Sequence, residues 1–335
     1  MKILFLKRIH QNNFISSKKV YDMEINEVKS ILDQQGYSQE SWNLTKLSGD
    51  ASSREYYRLK NESESLIVCT EEPNGQQSRD FNLITTLIEK DINTPKIYLY
   101  LPEISLLILE DVGDISLKDY YLKNGLTKHI QAVNDIKSYQ RLPLETCQSR
   151  YFDREKIGFE FDLALQFFLE KHLKLNLNED EKIVIASVRE LLINYYEENK
   201  KVVCHRDYHS NNLYVKADEL YHIDYQDMRV GPAMYDLVSL VDDCYIQFSD
   251  EERSVLLNSF DSEFNSKYLK DYQIVQIQRT FKALGSFAYL SIDKNKNGYL
   301  PFIKPNLKKL IDVLKLRDED SFVRFAKILE RGSDD

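Results

Sequence analysis

Three oxygen-bearing side chains, Asp207, Asn212 and Asp224, stand in an order and at a spacing that suit phosphoryl transfer. They fall in HRDYHSNN at 205–212 and, after a tight hairpin, in HIDYQD at 222–227. Phosphoryl transfer asks for little covalent chemistry from a protein. It needs a carboxylate to orient and deprotonate an acceptor hydroxyl, and oxygen ligands for Mg2+. A hairpin brings Asn212 and Asp224 to neighbouring strand ends, where both can face one ion, and leaves Asp207 further back in the loop to meet substrate. Asp and Asn are also common turn formers, so each alone carries little. The three in order carry the reading, with Asp207 as catalytic base and Asn212 and Asp224 as metal and cofactor ligands.

These residues sit in a short β-rich island, 202–227, within a region whose apolar spacing otherwise predicts helices over 116–141, 154–172, 179–198 and 251–330. Upstream, NLTKLSGDASSREYYRLK (43–60) predicts strand, turn, strand, and SLIVCT (65–70) a third strand. Residues 78–90 have helical spacing through Phe81, Ile84, Leu87 and Ile88, and IYLYL and SLLILED supply two further strands. A helix is predicted from Glu24 to Gln35, with Gly36 as its stop. Residues 1–22 lack periodicity and read as a tail or an over-called start. The organisation expected is α+β, with an N-terminal nucleotide-binding lobe over 23–112 and a C-terminal catalytic and substrate-binding lobe over 113–335.

HRDYHSNNLYV together with HIDYQD resembles the aminoglycoside and choline phosphotransferases. Their His-x-Asp-x-His-x-x-Asn pattern is reproduced by His205, Asp207, His209 and Asn212, and the likeness runs on through GPAMYDLVSL (231–240). LSGDASSREYYRL (47–59), LILEDVGD (107–114) and QRTFKALGSFAYLSIDKNKNGYL (278–300) are similar to bacterial cell-wall amino-sugar kinases, which phosphorylate the anomeric hydroxyl of N-acetylmuramate or N-acetylglucosamine. The likeness spans residues 40–315. It implies a two-lobed protein-kinase-like fold, with a small β-rich N-lobe, a larger mainly helical C-lobe, and ATP and Mg2+ as cofactors. It also implies that His209 contacts the γ-phosphate or structures the loop, that Asp236 braces the loop, and that adenine docks on the backbone around Glu110, Asp111 and Val112. The acceptor implied is an amino sugar of cell-wall recycling. An aminoglycoside, choline or homoserine kinase, and a nucleotide-binding pseudokinase with a regulatory role, are the alternatives.

The chain departs from that pattern in two places. SGDASS (48–53) carries one glycine, so Ser48, Gly49, Ser52 and Ser53 are the expected phosphate contacts. SLIVCT has Cys69 and Thr70 where a phosphate-pairing lysine is expected, which motivates the pseudokinase alternative. Arg54 or Arg58 would supply the charge, Arg54 being nearer the turn. Arg279, with Lys282 beside it, is read as lining the acceptor pocket, where it would meet an N-acetylmuramate carboxylate. Glu160, Phe161 and Asp162 fit amphipathic packing and stay outside the site. DKNKNG (293–298) imitates a calcium loop, but its twelfth position is Lys304.

The bulk numbers narrow the partners. A net charge of −9 without a long Lys/Arg run argues against nucleic acid. The four cysteines, Cys69, Cys147, Cys204 and Cys244, have no metal-site spacing and suit free thiols in the cytoplasm. MKILFLKRIH is too short in apolar residues for a signal peptide, and the stretch 97–109 is broken by Pro102 and Glu103, so no membrane association is expected.

Overall fold

A computed structural model of the chain describes residues 24–47, 54–72 and 75–332. The tail at 1–22 and the expected phosphate contacts Ser48, Gly49, Ser52 and Ser53 lie outside the described residues. The chain divides into two compact units, Met1–Asn82 with Lys96–Asp111, and Leu83–Pro95 with Val112–Asp335.

In the first unit, β1 (Asn43–Lys46), β2 (Glu55–Lys60), β3 (Ser65–Thr70), β4 (Ile97–Leu101) and β5 (Leu106–Glu110) form an antiparallel sheet in the order β1-β2-β3-β5-β4. Alternation sends Tyr57 and Leu59 of β2, Val68 of β3, and Leu106 and Ile108 of β5 to one face. There they pack with Val28 and Leu32, one turn apart on α1 (Ile25–Gln34). The β2–β3 turn is tied by Asn61, whose Oδ1 accepts the Ser63 and Glu64 N–H groups at 2.8 and 2.7 Å.

Helix α2 (Gln76–Ile88) begins in the first unit and ends in the second. Its later part is fixed in the second unit by a 2.6 Å bond between the Thr85 and Tyr225 hydroxyls, and Asn93 beyond it donates to the Leu220 carbonyl at 2.9 Å. The second unit continues with α3 (Leu117–Asn124) and α4 (Thr127–Arg141), so the predicted helix over 116–141 is two helices, separated at Gly125 with φ +74. Next come α5 (Arg154–Ala164), which runs into a π-helical turn at Leu165–His172, and α6 (Glu179–Glu198), opened by a capping box of Asn178 and Glu181.

The β-rich island follows, with β6 (Val202–Cys204), β7 (Leu213–Lys216), β8 (Glu219–His222) and β9 (Arg229–Gly231). The two inner strands form a hairpin and the two outer strands pair with each other, all antiparallel. The remaining helices are α7 (Tyr235–Val241), α8 (Asp250–Phe260), α9 (Phe264–Lys267), α10 (Leu269–Lys294), α11 (Ile303–Lys315) and α12 (Asp320–Arg331).

Helix α10 is buried on several faces and forms the middle of this unit's main core with α5, α6, α11 and α12. Gly285 lets α10 approach α5 closely, since a Cβ there would come 2.5 Å from the Ala164 Cα. The calcium-like string is a helix end: α10 runs through Asp293 and Lys294 and closes on Asn295 at φ +54. All four cysteines are free, with Cys69, Cys147 and Cys204 buried. Among the described residues, no helix is long and apolar enough to cross a membrane.

Candidate active site

The loop 205–212 connects β6 to β7 and is held by buried side chains rather than by sheet pairing. Asp236, at the start of α7 and 2% exposed, accepts the His205 N–H on Oδ2 at 2.7 Å and the Arg206 N–H on Oδ1 at 3.0 Å. That pair of hydrogen bonds to the backbone holds Arg206 at φ +82, a conformation a side chain disfavours, immediately before Asp207. Burial pushes the Asp236 carboxyl up to about 7, against those two N–H groups. Just past the end of α7, Asp243, also buried, accepts the Ser210 and Tyr245 N–H groups at 2.8 Å each. The carboxylates at either end of one short helix thus grip both ends of the loop. The brace expected of Asp236 is present in the geometry.

Asn212 closes the loop. Its amide donates to the Asp207 carbonyl at 2.9 Å and lies 3.4 Å from both Asp224 Oδ2 and His209 Nε2. Asp224 follows β8 at φ +62, and its Oδ1 accepts the Gln226 amide at 2.8 Å. The hairpin therefore brings Asn212 and Asp224 side by side, as their spacing predicts. Asp224 supplies hard carboxylate oxygens there, and Asn212 adds a second oxygen donor when its amide oxygen, rather than the Nδ2 that meets Asp224, is turned to the ion. Such a pair suits a cation that keeps its other positions for phosphate and water. His209 turns one nitrogen toward Asn212 and sets its ring 5.4 Å from that of Tyr245. Burial holds its pKa below the ordinary histidine value despite nearby Asp243 and Asp207.

The Asp207 side chain is 26% exposed, with Arg206 Nη1 3.5 Å from Oδ2 and Lys282 Nζ 3.5 Å from Oδ1. Burial opposes its ionisation, but Arg206 and Lys282 outweigh that and hold the carboxyl well below the usual carboxylate range. Arg206 also pairs with Asp227, whose other oxygen takes Arg229 at 2.9 Å. A carboxylate so held can orient a hydroxyl while charged, and takes up a proton only as the oxygen becomes strongly acidic.

The other expected residues are distributed as follows. In the first unit, Arg54 is buried just before β2, its guanidinium 5.5 Å from the Tyr56 ring centre. Arg58, the other arginine considered, is committed to Asp111 by a 2.8 Å ion pair. Glu110 ends β5 and pairs with Leu66, and its N–H donates to the Lys96 carbonyl at 2.8 Å. Val112 is the first residue of the second unit's longer segment and is buried. Arg279 is buried on α10, with Nε donating to Ser239 Oγ and its guanidinium 5.4 Å from the Tyr235 ring centre. The α10 cation that reaches Asp207 is Lys282.

Glu160 differs from the packing role read from its sequence. It is 3% exposed and accepts Gln278 Nε2 at 2.9 Å, with Lys156 Nζ 3.3 Å and Arg206 Nη2 3.9 Å from Oε1. Burial raises its carboxyl, but Lys282, Lys156 and Arg206 together bring it below the ordinary value. Its i, i+4 relation to Lys156 was the one local signal. Asp162 is instead an outward partner of Arg189 at 2.8 Å, and Phe161 belongs to the core.

The sequence profile of the phosphotransferase enzyme family matches residues 43–272. An N-acetylmuramate/N-acetylglucosamine kinase of Pseudomonas putida is 25% identical over 289 residues, 82% of this chain and 85% of that protein. One of Neisseria meningitidis is 25% identical over 282 residues, 80% of this chain and 84% of that protein. In three dimensions the chain is similar to the choline kinase LicA of Streptococcus pneumoniae, with a TM-score of 0.62 at 17% identity, covering 85% of this chain and 99% of that one. An ADP-bound aminoglycoside phosphotransferase, APH(2'')-Ib, gives a TM-score of 0.58 at 13% identity, covering 87% and 99%. A β-sheet unit followed by a mainly helical one matches the kinase-like fold of these structures. With a profile match across most of its length, the chain belongs to the phosphotransferase enzyme family and is a small-molecule phosphotransferase.

Proposed function

We propose that this chain transfers the γ-phosphoryl group of ATP to the anomeric hydroxyl of a cell-wall amino sugar, N-acetylmuramate or N-acetylglucosamine. The observation that carries the reading is the loop itself: a partly exposed, strongly ionised Asp207 beside the Asn212–Asp224 pair. Asp207 orients the acceptor hydroxyl and takes its proton as the phosphoryl group departs from ATP. Asn212 and Asp224 would hold Mg2+, which supplies charge neutralisation along the phosphate oxygens. Asp236 and Asp243 keep the loop in place, and His209 orders it through the Asn212 amide. Arg54, with Ser48, Gly49, Ser52 and Ser53, is assigned to the nucleotide phosphates, and the backbone at Glu110 and Val112 to adenine.

The amino-sugar acceptor is supported by the two bacterial relatives, each aligned over four-fifths of the chain or more. ATP as donor is supported by the ADP seen in the aminoglycoside phosphotransferase structure. The test is ATP consumption by purified protein with Mg2+ over N-acetylmuramate, N-acetylglucosamine, choline and an aminoglycoside, with Asp207→Asn as control. Turnover on an amino sugar that vanishes in the control is expected. Turnover on choline or the aminoglycoside alone would replace the acceptor, and ATP binding without turnover on any of them would point to a pseudokinase.

A further inference from the structure

Asp207 belongs to an ion-pair cluster with more cations than carboxylates, in a chain whose net charge is −9. Lys156, Arg206, Arg229 and Lys282 form one connected ion-pair cluster with Glu160, Asp207 and Asp227 among the described residues. That is four cations to three carboxylates. Asp227 is shared between two arginines, and Glu160 is buried with Gln278 on its other oxygen. Asp207 is the carboxylate left to meet an acceptor, and it is flanked by Arg206 and Lys282.

The two cations differ in how they are held. Arg206 is fixed by Asp227 and by the Asp236 clamp on its own backbone. Lys282 projects from α10 on a flexible stem, its side chain is 15% exposed, and among the described residues its ammonium pairs with Asp207 at a long 3.5 Å while also acting on the nearby Glu160 charge. An ammonium has three donors, so this one has capacity for a second anion. An acceptor whose hydroxyl meets Asp207 approaches a carboxylate that has Lys282 Nζ 3.5 Å from its Oδ1. Arg279, one turn earlier, is buried against Ser239 and Tyr235.

We infer that Lys282 is the specificity-determining residue of this site, the cation that binds a carboxylate carried elsewhere on the sugar whose hydroxyl Asp207 orients. The inference rests on the amino-sugar reading and adds to it a charge class: anionic acceptors are favoured over neutral ones, and polycationic ones are repelled. N-acetylmuramate and N-acetylglucosamine make a matched pair for the test, because they differ only in a lactyl ether and its carboxylate.

The experiment compares kcat/KM for the two sugars in the wild-type full chain and in Lys282→Met, which keeps the apolar stem and removes the charge. The wild type is expected to prefer N-acetylmuramate. In Lys282→Met the ratio of the two constants should fall about tenfold or more, the scale of one hydrogen bond to a charged group. The change should appear mainly as a higher KM for N-acetylmuramate, and Lys282→Arg should keep most of the preference. A partly folded preparation lowers both constants by the same factor, so the ratio does not depend on the folded fraction.

An unchanged ratio in Lys282→Met, or a wild type that treats the two sugars alike, overturns the inference while leaving the amino-sugar reading intact. A wild type that turns over neither sugar overturns that reading itself, and the inference with it.

Discussion

The sheet of the first unit and the β-rich island of the second are both antiparallel, yet they are stabilised in different ways. The sheet is broad, and alternation places Tyr57, Leu59, Val68, Leu106 and Ile108 on one buried face, so apolar burial spread over many contacts holds it. The strands of the island are three or four residues long. What fixes its loop is a small set of buried carboxylates, Asp236 and Asp243, bonded to backbone N–H groups. Distributed burial tolerates local loss, whereas a polar clamp fails when one acceptor is removed. The polar clamp thus falls on the loop that carries Asp207 and Asn212, while the sheet relies on spread burial.

The sharpest way to separate the two regions is to remove chemistry without removing structure. Asp207→Asn is expected to lower turnover by about 10²–10⁴-fold, the range for a lost general base, with little change in melting temperature. Steady-state ATP consumption and a thermal melt on the same preparation check it. Leu59→Ala, at 0% exposure in the sheet core, should cost about 2–5 kcal/mol of stability. Turnover per folded molecule should be nearly unchanged, as denaturant titration and active-site-normalised rates would show.

Asp243→Ala should cost less stability, about 1–3 kcal/mol for buried N–H groups left without an acceptor. It should nevertheless lower activity and raise the Mg2+ concentration needed for half-maximal rate, because Ser210 leads directly into Asn212. If Leu59→Ala and Asp243→Ala lowered turnover per folded molecule equally, the contrast between distributed and clamped support would collapse.

The most gradual effect concerns pH. His129 is fully buried between Tyr121 and Phe248, and burial pushes its pKa down to about 4, against Asp243 and Glu252. A depressed folded-state value means that the unfolded chain binds a proton first, near pH 6.5. Stability from this residue is therefore complete above that pH and is lost as pH falls toward 4, at up to about 1.4 kcal/mol per pH unit. His129→Phe should flatten the acid side of the stability curve relative to wild type by that slope. A parallel curve would contradict it.

The same contrast explains how much could be read from the chain alone. The sheet strands and the presence of helices follow apolar period, which is local, while the breaks that divide 116–141 and 251–330 into several helices do not show in it. That the candidate site residues lie together is legible because HRDYHSNN and HIDYQD are contiguous strings joined by one hairpin. Lys282 at Asp207 and Asp243 at Ser210 span 75 and 33 residues, and no periodic pattern sets the register between α10, α7 and the loop. Arg54 and Arg58 have the same parity along the chain at and before β2, and the Asp111 partner, 53 residues away from Arg58, is not visible in that local pattern. Glu160 looked like packing because helical period reports that a position is buried and says nothing of the partners waiting there.

The hairpin itself shows a local rule being overridden. Ala217 and Asp218 turn at φ +50 and +65, positions that favour Asn-Gly or Asp-Gly. Lys128 of α4 compensates, its ammonium 2.9 Å from Asp218 Oδ1 while also bonding the carbonyl. The short reach from β7 to β8 that sets Asn212 beside Asp224 thus depends on a cation from a distant helix.

The buried cysteines supply something practical. Burial pushes the Cys69 thiol up to about 11 and the Cys147 thiol up to about 12, and raises that of Cys204 well above its ordinary value. A protonated, enclosed thiol reacts slowly with alkylating reagents, and exposure on opening restores its reactivity. Cys69 lies in the first unit and Cys147 and Cys204 in the second. The unlabelled wild-type chain therefore carries a chemical clock in each half, and mass spectrometry of alkylated peptides along a denaturant series would read which half lets go first.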